Sequence, residues 1–141
     1  MTPIRFLLDT SALARLLRDP TVRGRWEHQI TAGLVAVCPI TELEVLYTAR
    51  SKTDRDELLE LLSAAFCWVP MPEAVFARAA AVQADLTARG AHRSAGTVDL
   101  LVAATAELHA LTLVHYDHDF EQITAVTGQA MVWLAPPGSI D

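Results

Sequence analysis

The stretch IRFLLDTSALARLLRD, Ile4 to Asp19, changes its repeat halfway along. Ile4 to Asp9 is a short apolar run that reads as a buried strand. TSALARLLRD, directly after it, reads as a helix with Ser11 placed to cap it. Asp9 stands at the seam. A buried strand feeding a helix is the first half of a parallel crossover unit, and the same alternation recurs along the chain.

VRGRWEHQITAG reads as a second helix, ended by Gly33. LVAVCPI, Leu34 to Ile40, is apolar and β-branched and reads as a second buried strand. TELEVLYTARS follows as a helix, with Thr41 and Glu44 in the spacing of a capping box. TDRDELLELLSAA is a further helix with a leucine face. CWVPM, Cys67 to Met71, is a short third strand, and Pro72 opens a long helix that runs to Gly90. After the loop AHRSAGT, the segment Thr97 to Leu111 is another helix. LTLVHYD is a fourth strand, HDFEQITAVTG a short helical segment, and AMVWL a last strand. This order predicts an α/β fold with three layers and a mainly parallel central sheet covered on both faces.

The totals agree with one domain spanning residues 1–141. Hydrophobic residues make up 52% and aromatics 6%, which predicts a largely aliphatic core and argues against disorder. No apolar run reaches the ~18 residues of a membrane span. Asp9 interrupts the N-terminal apolar stretch, so no leader peptide is read there, and a cytoplasmic location is expected. Cys38 and Cys67 lie in strand-like segments without a ligand spacing and read as buried free thiols. The net charge of −6 taken alone argues against a nucleic-acid partner. The positive charge is nearly all arginine, Lys52 being the one lysine, and arginine clamps phosphate with two parallel hydrogen bonds. Arg15, Arg18, Arg23 and Arg25 form one group, and Arg89, His92 and Arg93 a second. For either group alone a solvated face is the plainer reading.

Ligands of parallel sheets sit at the carboxyl ends of the strands. That rule selects Asp9, Glu42 or Glu44, Asp99, and Asp117 with Asp119. Each acid has a bland alternative: a turn, a capping box, a favourable helix start, a capping pair of Asp119 with Gln122. Their shared edge is less bland, because caps should mix Ser, Thr, Asn and Asp. Clustered carboxylates repel, and a divalent cation removes the conflict. Oxygen-only ligands select Mg²⁺ or Mn²⁺ over zinc. Such an ion activates water and stabilises both the attacking and the leaving oxygen of a phosphodiester. It also makes the cleft locally positive, so the overall charge does not exclude RNA.

LLDTSAL, ITELEVLYTAR, VDLLVAATA and YDHDF, in this order and spacing over nearly the whole chain, resemble the PIN domain, specifically the VapC-type toxins of bacterial type II toxin–antitoxin pairs. The resemblance implies a metal-dependent endoribonuclease of compact α/β/α fold, using Mg²⁺ or Mn²⁺ and leaving a 5′-phosphate and a 3′-hydroxyl. It implies tRNA or ribosomal RNA as substrate, a small inhibitory antitoxin as partner, and a homodimer. Carried over residue by residue, it assigns Asp9, Glu44, Asp99 and Asp117 as the catalytic, metal-holding acids, with Asp119 as an auxiliary ligand. Glu44 is preferred to Glu42 because the family pattern is Thr, two residues, then Glu. Thr10 and Ser11 match the small polar residues beside the first acid. Many members carry Thr or Ser shortly before the fourth acid. Here His115 and Tyr116 stand there, which leaves His115 as a replacement.

Two other classes stay open at this level. One is a PIN-like domain that binds RNA or protein without catalysis. The other is a phosphotransferase forming an aspartyl-phosphate at Asp9, which Ser11 and the placement of Lys52 disfavour. A zinc site of His115, Asp117 and His118 converges poorly, since successive strand residues face opposite ways.

Overall fold

The computed structural model describes residues 3–141, so the reading of the N-terminus lies partly outside the described residues, at Met1 and Thr2. Five strands form one sheet: β1 (Phe6–Leu8), β2 (Val35–Val37), β3 (Cys67–Trp68), β4 (Thr112–His115) and β5 (Met131–Trp133). Their order across the sheet is β3-β2-β1-β4-β5, and all four pairings are parallel. The helices are α1 (Thr10–Arg18), α2 (Pro20–Thr31), α3 (Pro39–Leu46), α4 (Lys52–Ala65), α5 (Ala74–Ala88), α6 (Thr97–Leu108) and α7 (Asp119–Thr127).

Adjacent strand residues point to opposite faces, and the core divides accordingly. Leu7, Ala36 and Leu113 face a layer that includes Val82 and Leu86 of α5, Val102 of α6 and Ile123 of α7. Leu8, Val37 and Val114 face Leu13 and Leu16 of α1, Val22 of α2 and Leu62 of α4. The chain is thus the α/β/α sandwich expected from its alternation. The sequence order of the strands leaves β1 central, flanked by β2 and β4, so the ends of these three strands are neighbours.

Several helix starts differ from the expected ones. Asp9, not Ser11, caps α1: its Oδ1 accepts from the Ala12 N–H at 2.9 Å. α3 starts earlier than Thr41, because Pro39 at its first turn has the fixed φ a helix start favours. Cys38 is therefore the cap, Thr41 is buried inside the helix, and β2 ends at Val37. The same device moves the start of α2 forward, with Asp19 as cap ahead of Pro20. Cys38 and Cys67 are free, and Cys67 is only partly buried. No described helix is long and apolar enough to cross a membrane.

Candidate active site

β1 ends inside the sheet, so Asp9 leaves it almost wholly buried, 3% exposed. A buried carboxylate needs partners, and the next residues supply them. Ser11 Oγ lies 2.7 and 2.8 Å from the two Asp9 oxygens and donates to them, beside the Ala12 N–H. The same Oγ accepts from the Tyr116 N–H at 2.9 Å. Ser11 thereby joins the end of β1 to the end of β4. Thr10 turns the other way: its Oγ1 donates to Glu44 Oε1 at 2.5 Å, from α1 to α3.

Asp99 lies in the first turn of α6, and its Oδ2 accepts from the Gly96 N–H at 3.2 Å. Asp117 follows β4, and its Oδ1 accepts from the Asp119 N–H at 2.9 Å, which fixes the start of α7. This replaces the expected pairing of Asp119 with Gln122: the cap position is His118. Glu42 is not among the charges that shift Asp9, Asp99 or Asp119. It lines a separate hollow with Leu62, Phe66 and Trp68.

Electrostatics tie the acids together. Burial pushes the Asp9 carboxyl up to about 6, against the pull of the Ala12 and Ser11 hydrogen bonds, and the charge of Asp99 adds to the rise. Burial also raises Asp99, and the charges of Asp117, Asp119 and Glu44 push it further. Asp119 is raised by burial and by Asp117. Asp99 thus feels the charges of acids from two other segments and acts on Asp9 in turn. Among the described residues, no three His, Cys, Asp or Glu side chains close into a ready cage for an ion. The donors are all oxygen and mutually repelling, and this set fits a hard divalent cation better than zinc.

His115 is buried, stacked on Phe120 at 5.0 Å, and its Nδ1 accepts from the Asp117 N–H at 3.3 Å. Burial lowers its basicity. His118 is bound to Glu121 instead, 2.7 Å away. Tyr116 directs its hydroxyl to the Ile140 main chain, so it supplies no hydroxyl to the acids. Arg15 lies over the Tyr116 ring, 4.6 Å from its centre, and donates to the Ser11 carbonyl. That bridging role of Ser11 and Tyr116 was not legible locally, because the two residues are 105 positions apart.

The PIN domain family profile matches residues 6–126, which include all of these acids. The chain belongs to the PIN domain family. Among relatives of this PIN domain, Ribonuclease VapC51 of Mycobacterium tuberculosis is 44% identical over 138 residues, covering 98% of each chain. Ribonuclease VapC21 of the same species is 43% identical over 135 residues, covering 96% of this chain and 97% of that one. The crystal structure of DNA-bound VapBC from Salmonella typhimurium has the same fold. It superposes with a TM-score of 0.75 at 16% identity, over 94% of this chain and 99% of the other. The PIN domain fold thus holds at low identity, while the relatives above 40% extend the likeness through the whole length.

Proposed function

We propose that this PIN domain is a metal-dependent endoribonuclease, the toxin of a type II toxin–antitoxin pair. The observation that carries this reading is the buried Asp9 at the end of β1, 3% exposed, with both oxygens held by Ser11 and the Ala12 N–H; burial raises its carboxyl and the charge of Asp99 adds to the rise. Burial disfavours the ionised form of such an acid, and a bound cation would stabilise it. The relatives named ribonucleases support RNA as the substrate, with tRNA or ribosomal RNA the expected class. The VapBC neighbours support a small antitoxin as partner.

Asp9, Glu44, Asp99 and Asp117 would hold Mg²⁺ or Mn²⁺, with Asp119 assisting. The bound ion lowers the pKa of water and stabilises charge on the phosphodiester oxygens. Ser11 keeps the two Asp9 oxygens aimed and limits their rotation. Thr10 does the same for Glu44. Gly96 orients Asp99 through its N–H. His115 orients the start of the Asp117 loop from its buried position rather than acting as a base. Arg15, with its guanidinium held beside Ser11, would grip a flanking phosphate. The homodimer reading is supported by exposed apolar side chains, Leu43 and Tyr47 at α3 and Phe76 on α5.

The test is RNA cleavage by the purified chain, freed of any partner, with and without Mn²⁺. Cleavage that needs the ion and is lost in Asp99→Asn supports the reading. Binding of RNA without cleavage in the wild type favours the non-catalytic class instead, and a trapped phosphate on Asp9 favours the phosphotransferase.

A further inference from the structure

Beside the loop that carries Asp117 and Asp119 lies a hollow of about 150 Å³. Its walls include Trp133, His115, Phe120, Glu121 and Gln129. None of the four proposed catalytic acids lines it, so the reading of the acids leaves it without a role.

Trp133 ends β5 in register with His115 of β4, which puts the indole at the same sheet edge as the acids. Three rings hold it: His115 at 4.8 Å, His118 at 4.8 Å and Tyr116 at 5.5 Å between centres. It remains only partly buried. His118 sits between Asp117 and Asp119 in the chain, and its side chain is 75% exposed. Its contact with Glu121 and the Asp119-to-Asp117 hydrogen bond fix its position. His118 of the braced loop and Trp133 at the end of β5 thus pack edge to face.

The walls also say what fits between them. His115 Nδ1 accepts the Asp117 N–H, so the neutral ring carries its hydrogen on Nε2 and offers a donor. Glu121 offers an acceptor at the rim. No Arg or Lys lines the hollow, and the nearby carboxylates repel phosphate. A flat ring with donors and acceptors on its edge suits these walls, and nucleobases stack on aromatic side chains in this way.

The geometry points to a nucleobase subsite in this hollow, against Trp133, which takes the base next to the phosphate held at the acids. This rests on the ribonuclease reading above.

The test titrates the isotope-labelled full chain with the four nucleoside 5′-monophosphates and, separately, with ribose 5-phosphate. The Trp133 indole N–H signal is identified by its loss in Trp133→Leu. It should move with at least one nucleotide and stay in place with ribose 5-phosphate. No movement with any nucleotide, or equal movement with the sugar phosphate, overturns the subsite. In parallel, Trp133→Leu should raise KM for a cleaved RNA oligonucleotide about 10-fold, with kcat retained. A fall in kcat at unchanged KM also overturns it. If the Trp133 signal responds but no RNA is cut, the ribonuclease reading fails and the base site stands. If RNA is cut and the signal is silent, the subsite alone fails.

Discussion

Thr10 Oγ1 donates to Glu44 Oε1 at 2.5 Å and so joins the first turn of α1 to the last turns of α3. Neither residue is close to the other in sequence, and no other hydrogen bond described for Glu44 aims its carboxylate. Unlike Asp9, Asp99 and Asp117, Glu44 has no described backbone N–H on its carboxylate, which makes its hydroxyl partner the sensitive point.

Thr10→Val keeps the shape and removes the donor. Mn²⁺ affinity should fall about 10-fold, in line with the loss of an outer partner of a ligand. Calorimetric titration with Mn²⁺ reads this directly, and the thermal unfolding temperature should change little. Unchanged affinity would show that Glu44 is held by something else.

Asp99→Asn should remove RNA cleavage and leave the circular dichroism spectrum intact. The Asn side-chain oxygen can still accept from the Gly96 N–H, so the start of α6 is preserved. The metal-free variant should also melt at a higher temperature than the wild type, because the charges of Asp117, Asp119 and Glu44 no longer face a fourth acid. A lower melting temperature would contradict that coupling.

Asp9 gives the metal-free chain a distinctive response to pH. Its folded carboxyl titrates at about 6 against an ordinary 3.8, so the folded chain holds the proton longer than the unfolded chain does. Stability is therefore fully present below about pH 4 and declines as pH rises to about 6, by on the order of 2–3 kcal/mol. Asp99 and Asp119 are shifted in the same direction. Urea unfolding across this range should show the decline, and Asp9→Asn should flatten it. Mn²⁺-supported cleavage should run the opposite way and rise with pH as Asp9 ionises.

Tyr116→Phe leaves the ring over which Arg15 lies but removes the hydroxyl that donates to the Ile140 carbonyl at 3.0 Å and accepts from its N–H at 3.1 Å. The cost should be about 1 kcal/mol. Hydrogen exchange at the Ile140 amide should accelerate well beyond that of the β4 amides. Equal protection in both chains would mean that this segment is secured elsewhere.

Ala110 has a left-handed backbone, φ 57°, where α6 turns into β4. The Leu111 N–H returns to the Ala106 carbonyl at 2.8 Å and closes the helix end. Glycine is the residue for such a position. Ala110→Gly should stabilise the fold by up to about 1 kcal/mol. Chemical denaturation would show a higher midpoint with unchanged slope.

The layers were legible because the apolar runs around Leu7, Ala36 and Leu113 are bounded by helical patterns, and periodicity reports burial directly. The four proposed catalytic acids were legible as positions at strand ends and helix starts; Glu44 takes the Thr10 hydrogen bond, while Glu42 lines a separate hollow. The caps were less so. Ser11 and Thr41 carry the right hydroxyls, but Asp9 already caps α1, and Pro39, which has no N–H to satisfy, starts α3 ahead of Thr41. Nothing local could show that Ser11 accepts from Tyr116, since a backbone N–H has no sequence signature.

The position of β1 between β2 and β4 has a temporal consequence. Ser11 and Tyr116 meet across 105 residues, and Asp9 gains its second flanking strand only when β4 docks. During synthesis the early acids leave the ribosome long before Asp99 and Asp117 exist. A growing chain therefore holds no assembled cleft until β4 and the residues that follow it have been made.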